Sequence, residues 1–275
     1  MSLTSFIKNP DVRKKFKDEF PRQPVPRKKE PIAPPLTKHY ALVGTAFDYL
    51  LRFYLKRLNP KAKTSPWVAE MVPDLLVDDE RLQKKAQRVV ADAKKAYAHY
   101  LKSGKIDKRL LKSVLSLAQL DPIYRSGTNE FEIGKSDELD LQDLKALISL
   151  VDPRLFKAKK IIVLNPTFGS ASDLVGGADA DMLIDNTLID VKTTKELKIR
   201  RDSYNQLIGY YILATIGGIS GVRRNHSIER LGFYYSRFGE LYTFNVKDAI
   251  DPGRFRSFVR WFRDRAEEEE LMGFS

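Results

Sequence analysis

Apolar residues recur at helical spacing through the first half of the chain and change to strand-like runs after Asp152-Pro153. A short helix is expected over residues 10–20, followed by an extended path where prolines cluster from Pro21 to Pro35. Over residues 42–58, Phe47, Leu50, Leu51, Tyr54, Leu55 and Leu58 form one stripe, which Asn59-Pro60 closes. The spacing predicts further helices over 81–101, 108–120 and 139–151, with a polar, glycine-containing segment at 121–137. Residues 160–164 then read as a buried strand, 179–192 as a hairpin and 203–216 as a helix. A second hairpin is expected from 230–236 and 241–246 around Phe238-Gly239, and a helix over 252–272 with Phe255, Phe258, Val259 and Phe262 on its apolar side. There is no internal repeat.

The first hairpin carries the chemistry. Its centre reads Asp179-Ala180-Asp181-Met182-Leu183-Ile184-Asp185-Asn186-Thr187-Leu188-Ile189-Asp190-Val191-Lys192. Asp185-Asn186 favours a two-residue turn, which sets Ile184 opposite Thr187, Leu183 opposite Leu188 and Met182 opposite Ile189. Carried outward, that register puts Asp181 against Asp190 and Asp179 against Lys192. Side chains alternate across a strand, so three carboxylates and one ammonium would share a face. An oxygen-only donor set of this kind suits a hard cation such as Mg²⁺ or Mn²⁺. The plain alternative is a solvated surface hairpin in which Asp179 and Lys192 form a cross-strand ion pair.

Composition narrows the rest. The absence of cysteine among the 275 residues excludes disulfides, Cys-ligated zinc and iron–sulfur clusters, and His39, His99 and His226 are too few for a multi-histidine metal site. A net charge of +12 favours a polyanionic partner, nucleic acid or an anionic membrane, although basic surfaces also occur without one. The longest apolar run, residues 207–222, is short for a bilayer span and broken by glycines, and no signal-peptide core is evident, so a cytoplasmic protein without a membrane partner is expected. Residues 1–38 read as a basic, proline-rich N-terminal arm that either straps phosphates or is solvated or packed on its own domain. Lys195, Lys198, Arg200 and Arg201 form a basic cluster just past the hairpin, a candidate nucleic-acid-binding rim.

The order of acid, strand, acid-x-lysine and then a helix with Gln-x-x-x-Tyr resembles the PD-(D/E)xK nuclease superfamily, particularly its RecB-like branch. The matching residues are Asp181, then Asp190-Val191-Lys192, then Gln206 and Tyr210. Gly44-Thr45-Ala46-Phe47-Asp48 also looks like that branch's upstream helix motif, with Asp48 standing where a metal-binding histidine is usual. The resemblance implies an α/β nuclease core, a mixed central sheet flanked by helices, in a domain spanning residues 39–275. Within it a large helical insertion at about 60–155 would precede a catalytic core at about 156–246. It further implies Mg²⁺- or Mn²⁺-dependent hydrolysis of nucleic-acid phosphodiesters, with DNA the expected substrate. Asp181, Asp190, the Val191 carbonyl and Asp48 would hold metal, while Asp179 either binds a second ion or pairs with Lys192. Asp181, Asp190, Lys192, Gln206 and Tyr210 are then the catalytic set, although Gln206 could instead cap backbone groups and Tyr210 could be a core aromatic. The alternative from another class is a non-catalytic nucleic-acid-binding module on the same fold.

Overall fold

A six-stranded mixed sheet in the order β1 to β6 divides the protein into two helical layers. The computed structural model describes residues 2–21, 23, 29–127 and 132–273. Arg22, Arg27 and Lys28 of the basic arm, and residues 128–131 of the polar segment, lie outside them. Helices α1 (Leu3–Phe6) and α2 (Pro10–Glu19) come first, then α3 (Tyr40–Leu58), β1 (Lys63–Thr64), α4 (Val68–Leu75), α5 (Glu80–Ser103), α6 (Lys108–Ser126) and α7 (Glu138–Ser149). The second half supplies β2 (Ile162–Leu164), β3 (Met182–Ile184), β4 (Thr187–Lys192), α8 (Arg201–Gly217), β5 (Arg230–Tyr235), β6 (Glu240–Asn245), α9 (Val246–Ala249) and α10 (Pro252–Gly273). β1 with β2 and β4 with β5 are parallel, the remaining pairs antiparallel, and α8 makes the crossover between β4 and β5.

Period-2 alternation sorts the sheet side chains between the layers. Ile162, Leu164, Met182, Ile184 and Ile189 pack with residues of α3 to α7, whereas Val163, Leu183, Leu188, Leu231 and Phe233 pack with α1, α2, α8 and α10. Helices α3 to α7 therefore form one continuous core with a sheet face. The N-terminal helices are also core: Phe16 and Phe20 lie 5.2 and 4.7 Å, centroid to centroid, from Phe258, and Phe6 lies 5.2 Å from Phe262. Residues 3–20 thus pack on their own protein, one of the alternatives open for the arm.

The predicted turn forms. Ile184 pairs with Thr187, Leu183 with Leu188 and Met182 with Ile189. Asp185 takes the left-handed φ of 48° that such a turn requires. Its carboxylate accepts hydrogen bonds from the backbone N–H groups of Lys159, Lys160 and Ile161 at 3.0, 2.7 and 3.1 Å. Burial works against that charge, but the three donors outweigh it and hold the carboxyl below its ordinary range. One helix end differs from expectation: α6 continues through Pro122 to Ser126 instead of stopping near Leu120. Buried Ile123 and the bond from the Tyr49 hydroxyl to Asp121 hold the extra turn against the loss of one helical N–H.

Candidate functional site

β4 ends with Asp190 and Lys192 two residues apart, on the face that turns toward α8. Lys192 Nζ forms an ion pair with Asp190 Oδ2 at 2.7 Å and donates to Gln206 Oε1 at 3.1 Å. Gln206 Nε2 in turn donates to the Tyr210 hydroxyl at 2.9 Å and to Thr4 Oγ1 at 3.2 Å. Gln206 and Tyr210 are one turn apart on α8, so spacing alone puts them on one face. Tyr210 is buried and stacked on Phe168 with centroids 5.7 Å apart. Burial pushes its hydroxyl pKa well up, and the charges of Asp190, Asp181 and Asp179 push the same way, so the hydroxyl holds its proton more firmly.

The acids on the other side of the turn depart from the extended register. β3 stops at Met182, so the ladder never reaches a backbone pair between Asp181 and Asp190. Asp181 instead folds its side chain across, and its Oδ2 accepts the Val191 N–H. Its own carbonyl accepts from Asn165 N at 2.9 Å, and Ala180 N donates to Pro166 O at 3.0 Å. Asp179 follows that path and bridges to Thr167, and the β3–β4 ladder, which ends at Met182 and Ile189, does not extend to an Asp179–Lys192 pair. The expected Asp179–Lys192 pairing is therefore replaced by the Asp190–Lys192 ion pair, because residues 179–181 continue toward the strand before the hairpin. Val191 turns its side chain to the core of α3 to α7.

From the opposite layer α3 brings Asp48, whose Oδ2 lies 2.6 Å from Arg52 Nη2 one turn on. Arg52 is buried over the Tyr49 ring, 4.5 Å from its centroid. Asp48 and Asp181 sense each other and Asp190: burial raises the Asp181 pKa well above normal, and Asp190 and then Asp48 add to it. Burial also raises Asp190, against the lowering effect of Lys192, and raises Asp48, against that of Arg52. The buried Asp48 Oδ1 lacks any hydrogen-bond donor, and Asp190 Oδ2 has only the Lys192 ammonium beside it. No three His, Asp or Glu side chains among the described residues group closely enough to hold a metal ion as they stand.

Sequence reasoning missed the outer part of this constellation. The Tyr49 hydroxyl donates to Asp121 at 2.7 Å, and Arg125 Nε lies 3.9 Å from Asp121 Oδ2. Burial pushes Asp121 up to about 6, with the Tyr49 hydrogen bond and then Arg125 pulling down. Arg52 was readable as an i, i+4 partner of Asp48, whereas Arg125 has no local signal because α6 reaches the acids only through tertiary packing.

The basic rim is largely engaged. Lys198 and Arg200 share Glu196, and Arg201 donates to the Phe20 carbonyl at 2.8 Å while lying over Tyr204. Lys195 stands at the start of this segment. No helix among the described residues is long and apolar enough to cross a membrane. No protein-family model, curated protein or solved structure matches the chain.

Proposed function

We propose that this protein is a nuclease of the PD-(D/E)xK type that hydrolyses nucleic-acid phosphodiesters, DNA being the expected substrate, with Mg²⁺ or Mn²⁺ as cofactor. One observation carries the reading: Asp181, Asp190 and Lys192 meet Asp48 at the end of β4, with the buried Asp48 Oδ1 left without a donor and Asp190 Oδ2 held only by Lys192. A buried carboxylate oxygen without a donor, as at Asp48, is costly, and a hard cation is the partner its chemistry fits. Asp181, Asp190 and Asp48 would hold it, with the Val191 carbonyl and Asp179 as further oxygen donors. When bound, such an ion supplies Lewis-acid polarisation of the phosphate and stabilises the leaving oxygen.

The remaining steps belong to the chain. Asp190 and Gln206 fix the Lys192 ammonium, which orients the attacking water or offsets charge on phosphorus. The Tyr210 hydroxyl accepts from Gln206 and keeps its own proton, so it can donate to a phosphate oxygen. Asp181→Asn, Asp190→Asn and Lys192→Ala should each abolish cleavage of linear, circular, single-stranded and duplex substrates in Mg²⁺ or Mn²⁺; the two Asn variants should keep a melting temperature near wild type, whereas Lys192→Ala, which leaves the buried Asp190 charge without its partner, should lower it. Cleavage that survives chelator, or all three substitutions, sinks the reading.

A second reading, a nucleic-acid-binding module without catalysis, is favoured by the internal neutralisation of the acids: Arg52 holds Asp48 and Lys192 holds Asp190. Calorimetric titration with Mn²⁺ separates the two. Binding by wild type and its loss in Asp190→Asn support the nuclease, and no binding by either supports the module.

A further inference from the structure

We infer that Arg125, near the end of α6, is a substrate-phosphate contact of this site, so that the helices between α3 and β2 form one wall of the nucleic-acid surface. The inference rests on the reading of the site as one that meets nucleic acid. Among the described residues three cations, Arg52, Lys192 and Arg125, face the acid cluster, and they differ in how fully they are engaged. Arg52 is buried, 2.6 Å from Asp48 and packed on Tyr49. Lys192 is fixed between Asp190 and Gln206 at 2.7 and 3.1 Å. Arg125 has its nearest carboxylate, Asp121, at 3.9 Å, outside the roughly 2.7–3.2 Å of a hydrogen bond. The Tyr49 hydroxyl already occupies Asp121 Oδ1.

The Arg125 side chain is 59 % exposed, so it is within reach of a group arriving from solvent. On the other side it feels the acids. Burial works against its charge, yet Asp179, Asp121, Tyr210 and Asp48 together hold it more firmly protonated than usual. Arg125 therefore approaches the acids from the α6 layer, while Gln206 and Tyr210 approach from α8 on the other face of the sheet. A phosphate entering between them would meet the planar fork that guanidinium presents to two oxygens at once. The predicted rim offers less, since Glu196 and the Phe20 carbonyl already hold Lys198, Arg200 and Arg201. An open fork beside a group of carboxylates also lowers the repulsion that an incoming phosphate would feel.

The test uses the full chain and 5′-fluorescein-labelled single-stranded and duplex oligonucleotides, read by fluorescence anisotropy in EDTA between about 50 and about 200 mM salt. Arg125→Ala should weaken binding about tenfold and reduce the slope of log affinity against log salt by about 1. Arg125→Lys should keep the slope but regain only part of the affinity, because a point charge replaces the fork. Melting curves of both variants check the fold, and if Ala does not fold the Lys variant decides by its affinity. Unchanged affinity and slope in both variants overturn the inference whatever the cleavage assays give. Cleavage by wild type combined with unchanged binding by Arg125→Ala leaves the nuclease reading standing and removes this contact. Arg125-dependent binding without cleavage by wild type does the reverse; absence of binding by wild type removes this contact, and absence of cleavage as well removes both.

Discussion

The Arg52 guanidinium lies 2.6 Å from one oxygen of Asp48 and leaves the other buried without a donor. Residue 48 is therefore half committed, and removing its partner should be more harmful than removing the pair. Breaking a buried ion pair by deleting one side typically costs about 3–5 kcal/mol, because the remaining charge has no compensation. Arg52→Ala should lower stability by about 3 kcal/mol in urea unfolding, and Asp48→Ala added to it should restore a large part. A double variant no more stable than Arg52→Ala would show that the Asp48 charge is not the strained partner. At this scale the sequence placed Gln206 and Tyr210 on one face, since helical geometry alone makes residues one turn apart neighbours, while the same rule would have paired Asp48 with Arg52, a partner the sequence reading passed over. It was misleading for Asp179, whose partner depends on where β3 ends.

Elements form where periodicity predicts them, and their partners follow from the aromatic faces they carry. α2 was read as a short basic helix that could be solvated, strapped on phosphates or packed on its own protein, yet Phe16 makes edge contacts with Phe258 and Phe262 of α10 at 5.2 and 6.1 Å. The lysines around Phe16 point outward, so charge and core coexist on one helix. Phe16→Ala should cost about 3–5 kcal/mol, seen as a fall in melting temperature, whereas Lys17→Ala should leave it nearly unchanged. Equal effects of the two would mean that α2 is not part of the core. The extra turn of α6 past Pro122 follows the same logic, since Asp121 and Ile123 find partners that a local rule about proline does not weigh. That turn carries Arg125 to the site.

For the whole molecule, the concentration of buried acids at one end of the sheet links stability to pH and to cations. Asp48, Asp181 and Asp190 all titrate above the ordinary 3.8 in the folded chain. The folded state therefore holds more protons than the unfolded one from about pH 3.9 up to the raised values, and stability falls as pH rises through that window. Asp121, raised to about 6, contributes the same trend as pH rises toward that value. Under the nuclease reading, Mn²⁺ should raise the melting temperature of wild type more at pH 8 than at pH 5, since the acids must be ionised to bind it. Asp190→Asn should remove most of that rise and, without metal, flatten the fall of stability with pH. A melting temperature insensitive to Mn²⁺ at both pH values would count against a metal site.

By itself the sequence determined the hairpin register, the longer helices and the placement of Asp190 beside Lys192, because turn chemistry and the periods of 2 and 3.6 act within a few residues. Tertiary structure alone decided that β3 is too short to oppose Asp181 to Asp190 through the backbone, so that a carboxylate takes the Val191 N–H. It also decided that α3 and α6 bring Asp48, Arg52, Asp121 and Arg125 to the same end of the sheet. These groups are distant along the chain, and their meeting depends on how two hydrophobic layers pack against opposite faces of one sheet. The hairpin that local rules describe is thus one edge of a larger acid cluster whose charge balance is set by helices on both faces.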